Sequence, residues 1–318
     1  MKKHVLLLFI SFSLTLQVAA QRQNIYYLKN SGREVSSIDS ADYIRVVQEP
    51  ERGSLLYPTR EYYANEHKKS IGYSSRIDPP KYEGQFRSYY KNGKTKAVLR
   101  YAAGKLTDTA YTYYPNGGLY TAIVYTPTKE TTEVFIKTIK DSTGKELVTN
   151  GTGNAVFYDE DFTYVRERGP IKNGISDGEW SGVIISNDTL TYKESYAGGK
   201  MISGESKDSN GNSYHYTISE VVPSYKGGMD AFYSYISHSV RYPRHLVTPR
   251  IQGIVHVSFV IMPNGEIDYV HATNQVHPDL AAEAVRVIKA SKGWEPGIQK
   301  GRKVKVSYDI PVSFALSN

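Results

Sequence analysis

Lys303-Val304-Lys305-Val306-Ser307-Tyr308-Asp309-Ile310-Pro311-Val312-Ser313-Phe314 is the stretch on which the reading of this chain turns. From Val304 to Phe314 every second residue is apolar or aromatic, and the residues between are charged, hydroxylic or proline. Successive side chains of a strand point to opposite faces, so the pattern predicts one long strand, Val304 to Phe314, with one buried face and one wet face. Pro311 has no N–H to give to a ladder, which puts that strand at a sheet edge. A long edge strand offers unpaired backbone groups to an extended peptide. The plainer alternative is a hairpin strand covered by its own domain.

The chain has 318 residues, enough for more than one domain, and a net charge of +7. Lys2 and Lys3 precede an apolar run from Val5 to Leu16, and Val18, Ala19 and Ala20 supply small residues before Gln21. That order is the pattern of a secretory signal cleaved after Ala20. The run falls short of the roughly 20 apolar residues of a spanning helix, so retention as a membrane anchor is the alternative. There is no cysteine, which excludes disulfides, thiolate metal sites, cysteine nucleophiles and a lipidated N-terminal cysteine. Export to the periplasm is the expected localisation, and nucleic acid is not expected as a partner. One local cationic group stands out, Lys300, Arg302, Lys303 and Lys305. It reads either as a solvated face or as a docking patch for an acidic partner.

Tyrosine is the outlier of composition, with 28 residues beside 26 glycines. Tyr62-Tyr63-Ala64-Asn65-Glu66, Tyr89-Tyr90-Lys91-Asn92-Gly93 and Tyr113-Tyr114-Pro115-Asn116-Gly117 repeat one phrase, 27 and then 24 residues apart. Asn-Gly accepts positive φ and signals a hairpin turn, so each Tyr-Tyr pair belongs to the strand entering a turn. Weaker copies follow at Gly169–Gly182, with Trp180 where an earlier copy has Phe86, and at Tyr196-Ala197-Gly198-Gly199-Lys200. These hairpins resemble MORN-type repeats, which implies an elongated antiparallel sheet acting as scaffold or binding surface. The tyrosines either stack on one another along the sheet or grip a peptide or glycan. Residues 21–58 read as a β cap on the sheet, with strands at Ile25–Leu28 and Tyr43–Val47.

Beyond Ser219 the pattern changes. Gly227-Gly228 opens a helix stopped near Tyr242-Pro243. A strand from Gly253 to Ile261, a tight turn at Pro263-Asn264-Gly265 and a return strand from Ile267 to Thr273 follow. Pro278 and Asp279 start a second helix whose buried stripe is Leu280, Ala284, Val287 and Ile288, and Lys289 and Lys292 suit its C-terminal end. Helices on one face of a small antiparallel sheet make an α+β unit. The ordered set of Gly227-Gly228, Arg241-Tyr242-Pro243, Gly253, Pro263-Asn264-Gly265, Trp294-Glu295-Pro296-Gly297, Gly301 and the alternating last strand resembles the TonB C-terminal domain. The resemblance implies a three-stranded sheet with two helices. It also implies binding of an extended segment of an outer-membrane transporter, added as a strand beside the last strand. Carried onto this sequence, the partner-binding residues are Lys303, Val304, Lys305, Val306, Ser307, Tyr308, Ile310 and Val312. Trp294 and Pro296 read as core and turn. An energy transducer of this family has a membrane anchor and a Pro-rich spacer, where this chain has a signal and a Tyr/Gly-rich sheet. Inner-membrane proton-motor proteins are therefore partners only if the N-terminus stays as an anchor.

The expected organisation is α+β: a signal peptide at 1–20, a β cap at 21–58, an antiparallel hairpin-repeat sheet at 59–218 and a TonB-like domain at 219–318. Eight histidines lack helical metal spacing, and His256, His271 and His277 read as sheet or capping residues. No Gly-x-Ser-x-Gly elbow or phosphate loop is present. No enzyme activity and no cofactor are expected. The second function carried forward is a cell-envelope scaffold that binds peptidoglycan through the cationic group and the aromatic repeats.

Overall fold

The computed structural model describes residues 22–186 and 188–316. The expected signal peptide, 1–20, lies outside the described residues. The chain divides into two compact units, 1–149 and 150–318, a division that falls inside the segment 59–218.

In the first unit Gln23–Leu28 pairs antiparallel with Tyr43–Gln48, and Tyr43–Gln48 with Tyr57–Tyr63. From there each strand pairs antiparallel with the next, through Lys68–Ser74, Tyr82–Tyr89, Thr95–Ala102, Lys105–Tyr113, Leu119–Pro127 and Thr132–Lys140, to Glu146–Thr149. The repeated phrase sits at the turns. Gly93 and Gly117 take φ of +80° and +93°, and their N–H groups close the turns onto Tyr90 and Tyr114 carbonyls at 2.9 and 2.8 Å. The first copy has Glu66 in the same place, held at φ +65°, a conformation a side chain disfavours.

The second tyrosine of each pair does more than fill space. The Tyr63 hydroxyl donates to the Tyr89 carbonyl at 2.8 Å, Tyr90 to Tyr113 at 2.5 Å and Tyr114 to Lys140 at 2.8 Å. The turn asparagines run a parallel chain, with Asn92 Nδ2 donating to the Pro115 carbonyl and Asn116 Nδ2 to that of Ser142, both at 3.0 Å. Each turn is thereby tied to the next one along. Tyr114 is buried and Tyr63 and Tyr90 are half-buried, and phenols with satisfied hydroxyls are the low-cost use of tyrosine in a sheet.

In the second unit Thr152–Tyr158, Val165–Lys172, Gly178–Ile184, Leu190–Ala197, Lys200–Lys207 and Ser213–Tyr216 form a similar antiparallel run. Here aromatic rings lie over glycines of the neighbouring strand. Gly182 faces Tyr192 and Gly204 faces Tyr216 in register, and a Cβ at either glycine would overlap the ring. Trp180 covers Gly169 in the same way.

The TonB-like domain has helices Gly228–Ser239 and Pro278–Ala290 and a sheet in the order Ile267–Ala272, Gly253–Ile261, Val306–Phe314. Gly227, at φ +86°, starts the first helix, and the His277 side chain accepts from the Asp279 N–H to cap the second. Phe232 and Ile236 of the first helix and Leu280, Ala284, Val287 and Ile288 of the second pack on Val255, Val257, Phe259 and Ile261 of the central strand. Trp294 lies edge-on to Phe232, with ring centroids 4.7 Å apart, and within 5.7 Å of Phe259. Val306–Phe314 closes this core with Ile310, Val312 and Phe314.

The expected single strand from Val304 to Phe314 is two strands. Arg302–Val304 folds back on Gly297–Gln299 as a short hairpin, and Val306–Phe314 pairs with Gly253–Ile261. Lys305 is the joint between them. Alternation of side chains runs through such a bend unchanged, because it records faces and not partners.

Candidate functional site

Val306–Phe314 stands at the edge of its sheet, and among the described residues no further strand pairs with it. Its register with the central strand is unbroken, from Ile261 opposite Val306 to Gly253 opposite Phe314. Which backbone groups face the open side follows from the central strand. The His256 N–H donates to Asn274 Oδ1 and its carbonyl accepts from Thr273, both at 2.8 Å, and the Ile254 carbonyl accepts from Asn274 Nδ2 at 2.8 Å. These groups point away from the terminal strand. Opposed residues in an antiparallel ladder turn their backbone groups either both inward or both outward, alternating along the strand. Pro311 is opposite His256, Ser313 opposite Ile254, Asp309 opposite Ser258 and Ser307 opposite Val260. The backbone groups of Ser307, Asp309, Pro311 and Ser313 therefore face the open edge, and the missing N–H of Pro311 is missing on that side.

The intervening residues are spent on the fold. Ile310 and Val312 are buried, and Tyr308 stacks on Phe259 at 5.9 Å and donates to the Pro223 carbonyl at 3.0 Å. Their backbone groups face the central strand. Of the partner-binding residues expected from sequence, Ser307 thus lies on the open edge, whereas Val306, Tyr308, Ile310 and Val312 point inward and shape the edge without offering it groups. Lys303 and Val304 belong to the preceding hairpin, and Lys303 and Lys305 are exposed beside it. Asp309, Pro311 and Ser313, all exposed, were passed over by a reading that followed the apolar face.

The cationic group is not one patch. Lys300 Nζ sits 2.7 Å from Glu194 Oε1, with the two side chains 12% and 2% exposed, and 4.1 Å from the centre of the Tyr192 ring. Glu194 also accepts from the Tyr196 and Tyr216 hydroxyls, each at 3.0 Å. Arg302 pairs with Asp188, and the Lys300 carbonyl accepts from the Ser206 hydroxyl at 2.6 Å. The hairpin tip that precedes the terminal strand is thus seated on the strands around residues 188–216. Burial first, and the Glu194 carboxylate second, hold the Tyr196 and Tyr216 phenols well above their ordinary range, so both remain donors. Lys300 and Arg302 fit neither the solvated-face nor the docking-patch reading: their charges are used within the fold, and of the four cations Lys303 and Lys305 remain exposed. Among the described residues no group of three or more His, Asp or Glu side chains is placed to hold a metal ion, and no helix is long and apolar enough to cross a membrane.

Residues 238–316 match the family model of the Gram-negative bacterial TonB protein C-terminal. The matched residues take in the central strand, both outer strands of the sheet and the second helix. Two NMR solution structures of the Helicobacter pylori TonB-CTD are similar to part of this chain at 23% identity. Each covers 28% of this chain; 81% of one and 95% of the other are matched, with TM-scores of 0.24 and 0.23. No curated protein matches the chain.

Proposed function

We propose that the TonB-like domain binds an extended segment of an outer-membrane transporter by strand addition along the outer edge of Val306–Phe314. On this reading the chain works in the periplasm, supports transport across the outer membrane and carries out no covalent chemistry. The observation that carries it is the row of outward backbone groups at Ser307, Asp309 and Ser313, which no strand among the described residues pairs, on a strand whose other edge and buried face are engaged. Main-chain pairing supplies affinity in such a complex, and the alternate side chains supply register. The family match adds the class of partner. The scaffold reading through peptidoglycan has less behind it, since Lys300 and Arg302 are already paired.

Proline substitution tests the proposal, provided it is placed on outward-facing residues. Ser307→Pro and Asp309→Pro remove N–H groups that the fold does not use, so the domain should keep its thermal midpoint. Binding of synthetic peptides from the periplasmic face of outer-membrane transporters should be lost, as read by calorimetry. Unchanged binding in both variants would contradict strand addition. Proline at Val306 or Tyr308 would break the internal ladder, and a loss of binding there would report unfolding.

A further inference from the structure

The open edge is not uniform. Proceeding from Ser307, it presents N–H and C=O at Ser307, N–H and C=O at Asp309, C=O alone at Pro311, and N–H and C=O again at Ser313. Proline does more than remove a donor. Its Cδ occupies the place where the N–H would point, and strands pair only about 4.8 Å apart. A partner carbonyl arriving opposite Pro311 meets a methylene group in place of a hydrogen-bond donor. Natural sheets use edge prolines to stop unwanted pairing, and here the stop lies within the edge and not at its end.

We infer that Pro311 ends the docking ladder, so that a bound segment pairs over residues 307–309 and leaves Ser313 unpaired. This rests on strand addition as proposed above and adds to it a length and a register. The partner places one short extended run beside Ser307 and Asp309. It closes with an N–H donated to the Asp309 carbonyl, and beyond that point it turns away into solvent. Pro311 is in this sense a specificity-determining residue: it selects segments whose extended run is short. It also discourages a second copy of the same strand from pairing along the full edge.

The test uses the full chain and a displayed library of random 12-residue peptides, selected for binding and then made synthetically. Amide hydrogen exchange of the complexes should show new protection at Ser307 and Asp309 and none at Ser313. Ser313→Pro should leave affinity unchanged, while Asp309→Pro abolishes it. Pro311→Val restores the donor and should tighten binding by at least about fivefold, the worth of the first added hydrogen bond, with protection spreading to Ser313. Protection that already reaches Ser313 in the unsubstituted chain, or a loss with Ser313→Pro as large as with Asp309→Pro, would overturn the inference while leaving strand addition intact. Selected peptides that protect neither Ser307 nor Asp309 would overturn strand addition itself, and the inference with it.

Discussion

The hairpins of residues 57–140 and the TonB-like domain both depend on aromatic residues, and they use them in opposite ways. In the hairpins, the hydroxyl of the second tyrosine of each repeated pair reaches the carbonyl at the next turn, as Tyr90 does to Tyr113. Stabilisation is there a sum of local ties between neighbours, as expected of a repeat. In the TonB-like domain, Phe232, Phe259, Trp294 and Tyr225 meet in one cluster with both helices and all three strands around it. Damage should stay local in the first case and spread through the domain in the second. The shared core also buries Ile310, Val312 and Phe314 of the terminal strand, whose register against the central strand is unbroken.

The largest effect should come from the shared core. Phe232→Ala empties a fully buried site against Trp294 and Phe259 and should cost about 3–5 kcal/mol. Loss of the near-ultraviolet circular dichroism of the TonB-like domain would register it; retention of a cooperative transition within 1 kcal/mol, an order-of-magnitude margin, would show that the cluster is less integrated than described. Lys300→Met comes next, because it leaves the Glu194 carboxylate buried without its cation. A destabilisation of about 3 kcal/mol is expected in urea unfolding, largely recovered in the double variant Glu194→Gln/Lys300→Met. Absence of recovery would mean that the pair is not the source.

Tyr90→Phe removes one hydroxyl from the repeat series and should cost about 1 kcal/mol. Faster amide exchange should be confined to the two hairpins it joins, and spreading through the whole first unit would erase the contrast drawn here. The smallest effect is one of pH. Glu283 accepts two bonds from Arg286, at 2.7 and 2.8 Å, and one from the Arg241 N–H at 2.6 Å. The Arg286 bonds foremost hold its carboxyl below the ordinary value near 4.5. A depressed folded-state pKa contributes stability that is present above the unfolded value and lost as pH falls through the folded one. The thermal midpoint of the TonB-like domain should therefore fall on acidification below about 4.5, and Glu283→Gln should flatten that fall. An identical pH profile for the variant would remove Glu283 from the account.

Much of this architecture was legible in the residues because it is written in periods and punctuation. Alternation gave the Gly253–Ile261 strand and the apolar face of Val306–Phe314, Asn-Gly marked the turns at Gly93 and Gly117, and Pro278 with Asp279 marked a helix start. What stayed hidden depends on distance in space. Nothing near Lys300 in sequence announces Glu194, 106 residues away, so a paired cation looked like a free one. The bend at Lys305 leaves the alternation intact and so leaves no trace in it. The candidate edge was half legible for a related reason. The apolar positions show which face is buried, whereas the groups a partner would meet belong to the residues between them. Their direction is set by the register against His256, which a single sequence does not contain.

Residue-resolved amide exchange along the terminal strand tests the central claim most directly. In the free protein, Val306, Tyr308, Ile310 and Val312 should exchange slowly and Ser307, Asp309 and Ser313 quickly. A bound extended peptide should then slow Ser307 and Asp309 without changing the others. If Ser307 and Asp309 are already protected in the free protein, or stay fast when peptide is bound, the outer edge of this strand is not the docking site.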